Sequence, residues 1–374
     1  MIYFDNAATS FPKPRRVCDE AVRAITEYGG NPGRGAHPLT LAAAEKIYAC
    51  REALAAFLGL SAPERVVFTL NTTHALNIAI KGILRRGDHV LISALEHNAV
   101  RRPIERLAAE GGITYETFPV LGLSEHALLQ GIRQRMTAAT RAVICTHASN
   151  ICSFSLPLAA IGRLCRRAGV YFIVDGAQSA GVLPLNMREM QIDALAVPAH
   201  KSLYGIQGCG ALLLGEGFLP APFLDGGSGV DSLLPHMPDE PPERFEAGTL
   251  PTPAIAALLE GVRSLADGAA AEIHAHECRL FCALRERLAA LPALQLYLPQ
   301  YEGTVLLFSH RNHPSSEIAA YLASRGICVR AGLHCAPLAH KALGTPSDGA
   351  VRISFGRYNT LAEVDVLSRA LGEL

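Results

Sequence analysis

The chain has 374 residues, 49% of them hydrophobic and 18% charged, with 34 Lys plus Arg balanced against 34 Asp plus Glu. Zero formal charge without a basic tail argues against a polyanionic partner, so no nucleic acid is expected. The length favours two domains over one core; neither a signal-peptide pattern nor a bilayer-length apolar run is visible, so a cytoplasmic protein with no membrane contact is expected.

In chain order, residues 1–4 read as a short strand, 5–10 as a polar turn and 14–28 as a helix, followed by a loop at Asn31-Pro32-Gly33-Arg34-Gly35. The alanine-rich run 39–57 predicts a long helix stopped by Gly59. A buried strand at 66–69 leads through Asn71-Thr72-Thr73 into a helix over 75–84. Strands then follow at 89–93, 114–118, 141–146, 170–174, 193–197 and 210–214, with helices at 99–110, 124–136 and 157–168. Strands alternating with helices, many of the strands continuously apolar, predict an α/β fold whose open sheet carries helices on both faces. Residues 217–250, rich in Pro, Gly and acid, read as a long loop. Beyond them a helix kinked at Gly268 is expected over 253–288. A second unit follows, with strands at 304–309, 328–331 and 351–355 and helices at 315–324 and 360–371. The 10 cysteines include no CxxC pair and no metal-ligand spacing, so no metal is expected, and most suit small buried positions in a reducing compartment.

The chemistry gathers around Lys201, which follows an apolar strand and precedes the glycine-studded Tyr204-Gly205-Ile206-Gln207-Gly208-Cys209-Gly210. Asp175 closes another apolar strand at the carboxyl edge, where open sheets bind ligands. A desolvated lysine near a carboxylate is what pyridoxal phosphate requires: the amine binds the aldehyde and the acid keeps the pyridine nitrogen protonated. Asp175 would equally serve as a turn or helix cap. Thr72 and Thr73 open a helix, as a phosphate site or an ordinary N-terminus would. His97 suits ring stacking or proton transfer, and equally a plain loop. Asn150 and Gln178 are further polar residues at the sheet edge. Cys335, in Gly332-Leu333-His334-Cys335-Ala336-Pro337, has the loop setting of a deployed thiol. Arg352, set among apolar neighbours, suits either a carboxylate clamp or a structural ion pair.

These motifs resemble the class V aminotransferase group, and within it the cysteine desulfurase and selenocysteine lyase-like enzymes. The resemblance runs from Asp5-Asn6-Ala7-Ala8-Thr9 to Val351-Arg352-Ile353-Ser354, and His200-Lys201 before Tyr-Gly is its most recognisable part. It implies the fold type I of pyridoxal phosphate enzymes, with a mostly parallel sheet in a large domain over 15–255. The smaller domain would combine 1–14 with 256–374. By the same resemblance Lys201 carries the cofactor, Asp175 pairs with the ring nitrogen, and Gln178 and Asn150 meet the ring hydroxyl. His97 stacks on the ring and acts in catalysis, while Thr72, Thr73 and His200 hold the phosphate. Thr249 would reach the phosphate of a neighbouring subunit, which implies a homodimer. Arg352 and Asn31 would bind the substrate, and Cys335 would receive sulfur as a persulfide for a sulfur-acceptor protein or a small reductant. Selenocysteine lyase, cysteine β-lyase and aminotransferase activities on the same fold are the alternatives, as is a non-enzymatic homologue. Two departures stand out: Pro198-Ala199 replaces a hydroxyl-bearing pair, with Ser202 or a neighbour's Ser228 as substitutes, and Ile206 replaces a proline.

Overall fold

The structure, a computed structural model, describes residues 1–33, 35–298 and 300–374. Arg34, within the loop expected at 31–35, and Pro299 lie outside the described residues. The first half comprises β1 (Ile2–Tyr3), α1 (Arg15–Thr26), α2 (Pro38–Leu58), β2 (Val66–Thr69), α3 (Thr72–Ile83), β3 (His89–Ser93), α4 (Asn98–Ala109), β4 (Thr114–Phe118), α5 (Glu125–Arg135), β5 (Thr140–Thr146), α6 (Leu158–Ala168), β6 (Tyr171–Asp175), β7 (Ala194–Pro198) and β8 (Gly210–Leu214). The second half comprises α7 (Thr252–Arg263), α8 (Ala269–Ala289), β9 (Leu294–Tyr297), β10 (Val305–His310), α9 (Ser315–Ser324), β11 (Ile327–Cys328), β12 (Arg330–Gly332), α10 (Pro337–Leu343), β13 (Ala350–Ser354) and α11 (Leu361–Gly372).

The main sheet has seven strands in the order β2-β8-β7-β6-β5-β3-β4. Strand β8 runs antiparallel to both neighbours, and the other pairings are parallel. The connection between β7 and β8 holds no helix and is too short for a parallel crossover, so the chain turns straight back. Lys201 sits in that connection. Alternate strand residues feed two cores, Leu91, Val143, Phe172 and Leu195 on one face and Val90, Ile144, Ile173 and Leu212 on the other. Burial on both faces explains the uninterrupted apolar runs.

A second sheet, β12-β13-β10-β9, packs with α8, α9 and α11 around Phe281, Leu306, Phe308, Ile318, Val351 and Leu367. The N-terminus joins this lobe, since β1 pairs with β11 and Phe4 lies in the same core. The loop over 217–250 has no helix or strand and is fastened by one buried ion pair. Arg51 grips Glu246 with both terminal nitrogens, at 2.8 and 2.6 Å, and the Phe68 amide donates to the same carboxylate at 2.6 Å.

Two expectations need correction. The run 328–331 is split at Val329, with β11 pairing with β1 and β12 with β13. The helix expected over 253–288 is two helices, because Asp267 and Gly268 take left-handed φ values of 53° and 88° that no helix carries through. Strand β9 and helix α10 were not anticipated from the sequence pattern.

Candidate active site

The carboxyl ends of the parallel strands converge on a cavity of about 220 Å³ lined by Thr72, Thr73, His97, Asn150, Asp175, Gln178, Pro198, His200 and Lys201, among others. Each arrives by the same logic. A parallel strand ends, the chain turns, and the first residues beyond the edge face the crevice. Helix α3 starts immediately after β2, with Asn71 as its cap: the Asn71 side chain accepts from the His74 amide at 2.9 Å. The Thr72 hydroxyl is thereby left over, buried and without a hydrogen-bond partner among the described residues. His97 caps α4 in the same way, its Nδ1 accepting from the Ala99 amide at 3.0 Å. Burial, then the Lys201 charge, lowers its pKa to about 4. His97 is therefore neutral near pH 7, with its proton on Nε2.

Beneath this edge Glu96 is wholly buried, its Oε1 accepting from the Thr146 amide at 2.9 Å and from the Ser93 hydroxyl. Burial pushes its pKa up to about 8, so it ties the ends of β3 and β5 together as a largely neutral acid. Asp175 is also buried, with Oδ1 accepting from the Ala177 amide at 2.9 Å; desolvation raises its pKa and Lys201 opposes that rise. Gln178 donates to the Ala7 carbonyl at 3.0 Å.

Lys201 is held by its backbone. The Tyr204 amide donates to the Lys201 carbonyl at 2.8 Å and the Gly205 amide to the Ala199 carbonyl at 2.8 Å, closing a tight turn with Tyr204 at φ 58°. Helix α7 presses on this turn through Gly261, where a Cβ would stand 2.1 Å from the Leu203 carbonyl oxygen. From the other side the N-terminal segment grips the His200 carbonyl with the Thr9 hydroxyl at 3.0 Å and Lys13 Nζ at 2.6 Å. The Ser10 hydroxyl takes the Lys201 carbonyl at 2.9 Å. Desolvation lowers the Lys201 pKa to about 8, with Asp175 partly offsetting it. His200 falls to about 4, chiefly through burial, and its Nδ1 has no partner among the described residues. Pro198 lines the cavity, whereas Ala199 is fully buried in the core. Ser202 lies outside the lining.

Arg352 is 1% exposed. Its Nη2 meets Asp5 Oδ1 at 2.5 Å, its Nη1 donates to the Asn150 carbonyl at 3.0 Å, and its Nε has no partner among the described residues. The Asn150 side chain in turn donates to the His334 carbonyl at 2.8 Å. Cys335 follows, exposed, with its carbonyl accepting from the Asn98 amide at 2.7 Å. It lines a groove of about 300 Å³ that shares Thr73, His97 and Ala99 with the Lys201 cavity. His334 and Cys335 have φ values of 51° and 56°. Left-handed backbone costs a residue with a Cβ roughly 1–2 kcal/mol, so this loop keeps its shape only because its surroundings hold it.

Asn31 and Thr249 are not brought to this cavity within the chain. They line a separate one of about 470 Å³, together with Ser228, Arg51 and Glu246. Sequence reasoning missed Asp5 as the partner of Arg352 and Lys13 as a ligand of the Lys201 turn. The Asp5-Asn6-Ala7-Ala8-Thr9 motif was the signal available for the first, and nothing in the pattern pointed to the second.

The match to the aminotransferase class-V family covers residues 2–367, and the chain belongs to that family. Several similar proteins are named cysteine desulfurases. A probable cysteine desulfurase of Methanothermobacter thermautotrophicus is 32% identical over 100% of this chain and 94% of its own. A probable cysteine desulfurase of Mycolicibacterium paratuberculosis is 33% identical over 99% of this chain, which spans 55% of that longer relative. The apo structure of a cysteine desulfurase from Thermococcus onnurineus NA1 superposes with a TM-score of 0.92 at 31% identity, covering 100% of this chain and 94% of that one. The fold is the fold type I of pyridoxal phosphate enzymes.

Proposed function

We propose that the chain is a pyridoxal phosphate-dependent cysteine desulfurase, forming L-alanine from L-cysteine and taking the sulfur as a persulfide on Cys335. One observation carries this reading: a half-buried lysine and a buried aspartate share one cavity, and an exposed cysteine lines the groove that continues it past Thr73 and His97. The names of the relatives support it.

The cavity's leftover polar atoms fit the cofactor. Thr72 Oγ1 and His200 Nδ1 are buried without partners among the described residues. The first turn of α3 adds the outward N–H groups of any helix start. A phosphate monoester supplies acceptors for this set, so Thr72, Thr73 and His200 would hold it. Asp175 would pair with the ring nitrogen, His97 would lie against the ring, Asn150 and Gln178 would meet the ring hydroxyl, and Lys201 would bind the aldehyde carbon. When bound, the cofactor supplies an electron sink for the carbon skeleton of an attached amino acid.

The chain's own groups do the rest. Arg352, aimed by Asp5 and the Asn150 carbonyl, holds the substrate carboxylate. Lys201, with its lowered pKa, takes the proton from the substrate α-carbon. The Cys335 thiolate attacks the substrate sulfur. A sulfur–sulfur bond forms, the carbon–sulfur bond breaks, and its electron pair stays with the carbon skeleton, which is protonated to alanine. The balance is L-cysteine plus Cys335 thiol giving L-alanine plus Cys335 persulfide.

Thr249 and Asn31 would serve the site of a partner subunit in a homodimer, because within this chain they line the other cavity. A large domain over 15–255 and a small one over 1–14 and 256–374 belong to the same reading. A cytoplasmic setting and a sulfur-acceptor protein complete the reading. The test is alanine release from L-cysteine by wild type, Cys335→Ala and Lys201→Ala. Both variants should lose alanine formation, and equal rates in wild type and Cys335→Ala would remove the persulfide role.

A further inference from the structure

We infer that His340 and Thr345 are positioning residues that hold the sulfur-accepting loop in shape through a directional relay onto His334. This rests on the persulfide role proposed for Cys335. The two imidazoles lie edge to edge and nearly coplanar, with planes 8° apart and centroids 5.4 Å apart. Both are buried, His334 at 3% and His340 at 2% exposure.

The proton positions follow from one end of the chain of bonds. His334 Nε2 lies 3.2 Å from the Arg330 carbonyl, which only accepts, so Nε2 carries the proton. Burial lowers the pKa of His334 to about 3 and of His340 to about 4, so each ring carries a single proton at neutral pH. His334 Nδ1 is then a bare acceptor, and the bond of 3.1 Å to His340 Nε2 must be donated by His340. His340 Nδ1 is bare in turn, and the Thr345 hydroxyl, 2.8 Å away, donates to it. One direction runs through the whole: Thr345 to His340, His340 to His334, His334 to the start of β12.

The relay matters because of what it restrains. His334 and Cys335 are consecutive left-handed residues. Their carbonyls are held by the Asn150 side chain, which lines the Lys201 cavity, and by the amide of Asn98, which lines the groove. The His334 ring is the side-chain anchor of the same segment, fixed between β12 and α10. Without the His340 donor that ring loses its grip on α10, and the loop is free to leave a backbone shape it does not favour.

The His340→Leu variant removes the donor, whereas His340→Gln keeps an N–H near the position of Nε2. Hydrogen exchange of the peptide spanning 332–340 is read without substrate, and alanine formation from L-cysteine is read separately. A displacement of about 1 Å at a reacting group costs on the order of a hundredfold in rate. The expected result for His340→Leu is faster exchange in that peptide and a kcat lowered at least about tenfold, with KM for L-cysteine within about twofold. His340→Gln should restore both. Thr345→Val, which removes only the terminal hydroxyl, should fall between them, and it decides the matter together with His340→Gln if His340→Leu does not fold. The inference is overturned if exchange and kcat of the folded variants stay within about twofold of wild type, or if His340→Gln is as impaired as His340→Leu. Failure of the desulfurase reading looks different: wild type itself then releases no alanine, while the exchange result still reports on the relay.

Discussion

The amine of Lys201 offers a quantitative check on the cavity. Burial drives its pKa down from 10.5 and Asp175 pulls it part of the way back, leaving it at about 8. An ordinary lysine has roughly one neutral amine in three thousand at pH 7; one at about 8 has roughly one in ten, a gain of about 300-fold. That neutral fraction attacks an aldehyde carbon or accepts a proton from carbon. Competitive labelling with acetic anhydride, followed by mass spectrometry of the peptide containing Lys201, measures it directly and needs no cofactor. Labelling should rise with pH through a midpoint near 8. In Asp175→Asn the opposing negative charge is gone, so the midpoint should fall below that of wild type and labelling at pH 7 should increase. A wild-type midpoint near that of surface lysines, or an upward shift in Asp175→Asn, would refute the claim that desolvation dominates here.

Two other changes separate stability from ligand binding. Thr72→Val removes a buried hydroxyl that has no hydrogen-bond partner among the described residues, so the melting temperature of the cofactor-free chain should hold or rise. Pyridoxal phosphate affinity should drop about tenfold or more, because one hydrogen bond to a charged group is worth about 1.5–3 kcal/mol. A fall in both would mean that the hydroxyl has a structural partner after all. Gly261→Ala drives a Cβ to within 2.1 Å of the Leu203 carbonyl oxygen. Overpacking of this kind costs about 1–3 kcal/mol, so the melting temperature should drop by several degrees. The displaced turn belongs to Lys201, so cofactor occupancy should fall as well; an unchanged melting temperature would show that α7 has room to retreat.

Much of the site could be read from sequence because of how an open sheet is built. Asp175 ends a buried strand and Thr72, His97, Asn150 and Lys201 each follow one, and the ends of neighbouring strands meet at one edge. Apolar runs mark such strands well. The direction of β8 was less accessible, since it depends on the length of a connection rather than on any residue pattern. Contacts between distant segments were least accessible. Asp5 on Arg352, Lys13 on the His200 carbonyl and Glu246 on Arg51 join residues far apart in the chain. No local periodicity encodes such pairs. Helix α10 was hidden for a related reason: its seven residues are too few for an amphipathic period to emerge. His340 and Thr345 stayed out of sight with it.

The contact between Asp5 and Arg352 joins residues 347 positions apart in the chain. During synthesis, at about 5–20 residues per second, the amino-terminal segment waits tens of seconds before its partner leaves the ribosome. The seven-stranded sheet and Lys201 are complete well before that. A chain interrupted between residues 214 and 352 thus carries the Lys201 amine and lacks the guanidinium expected to select a carboxylate. The pairing of Asp5 with Arg352 thus closes only after the sheet that positions Lys201 has been made.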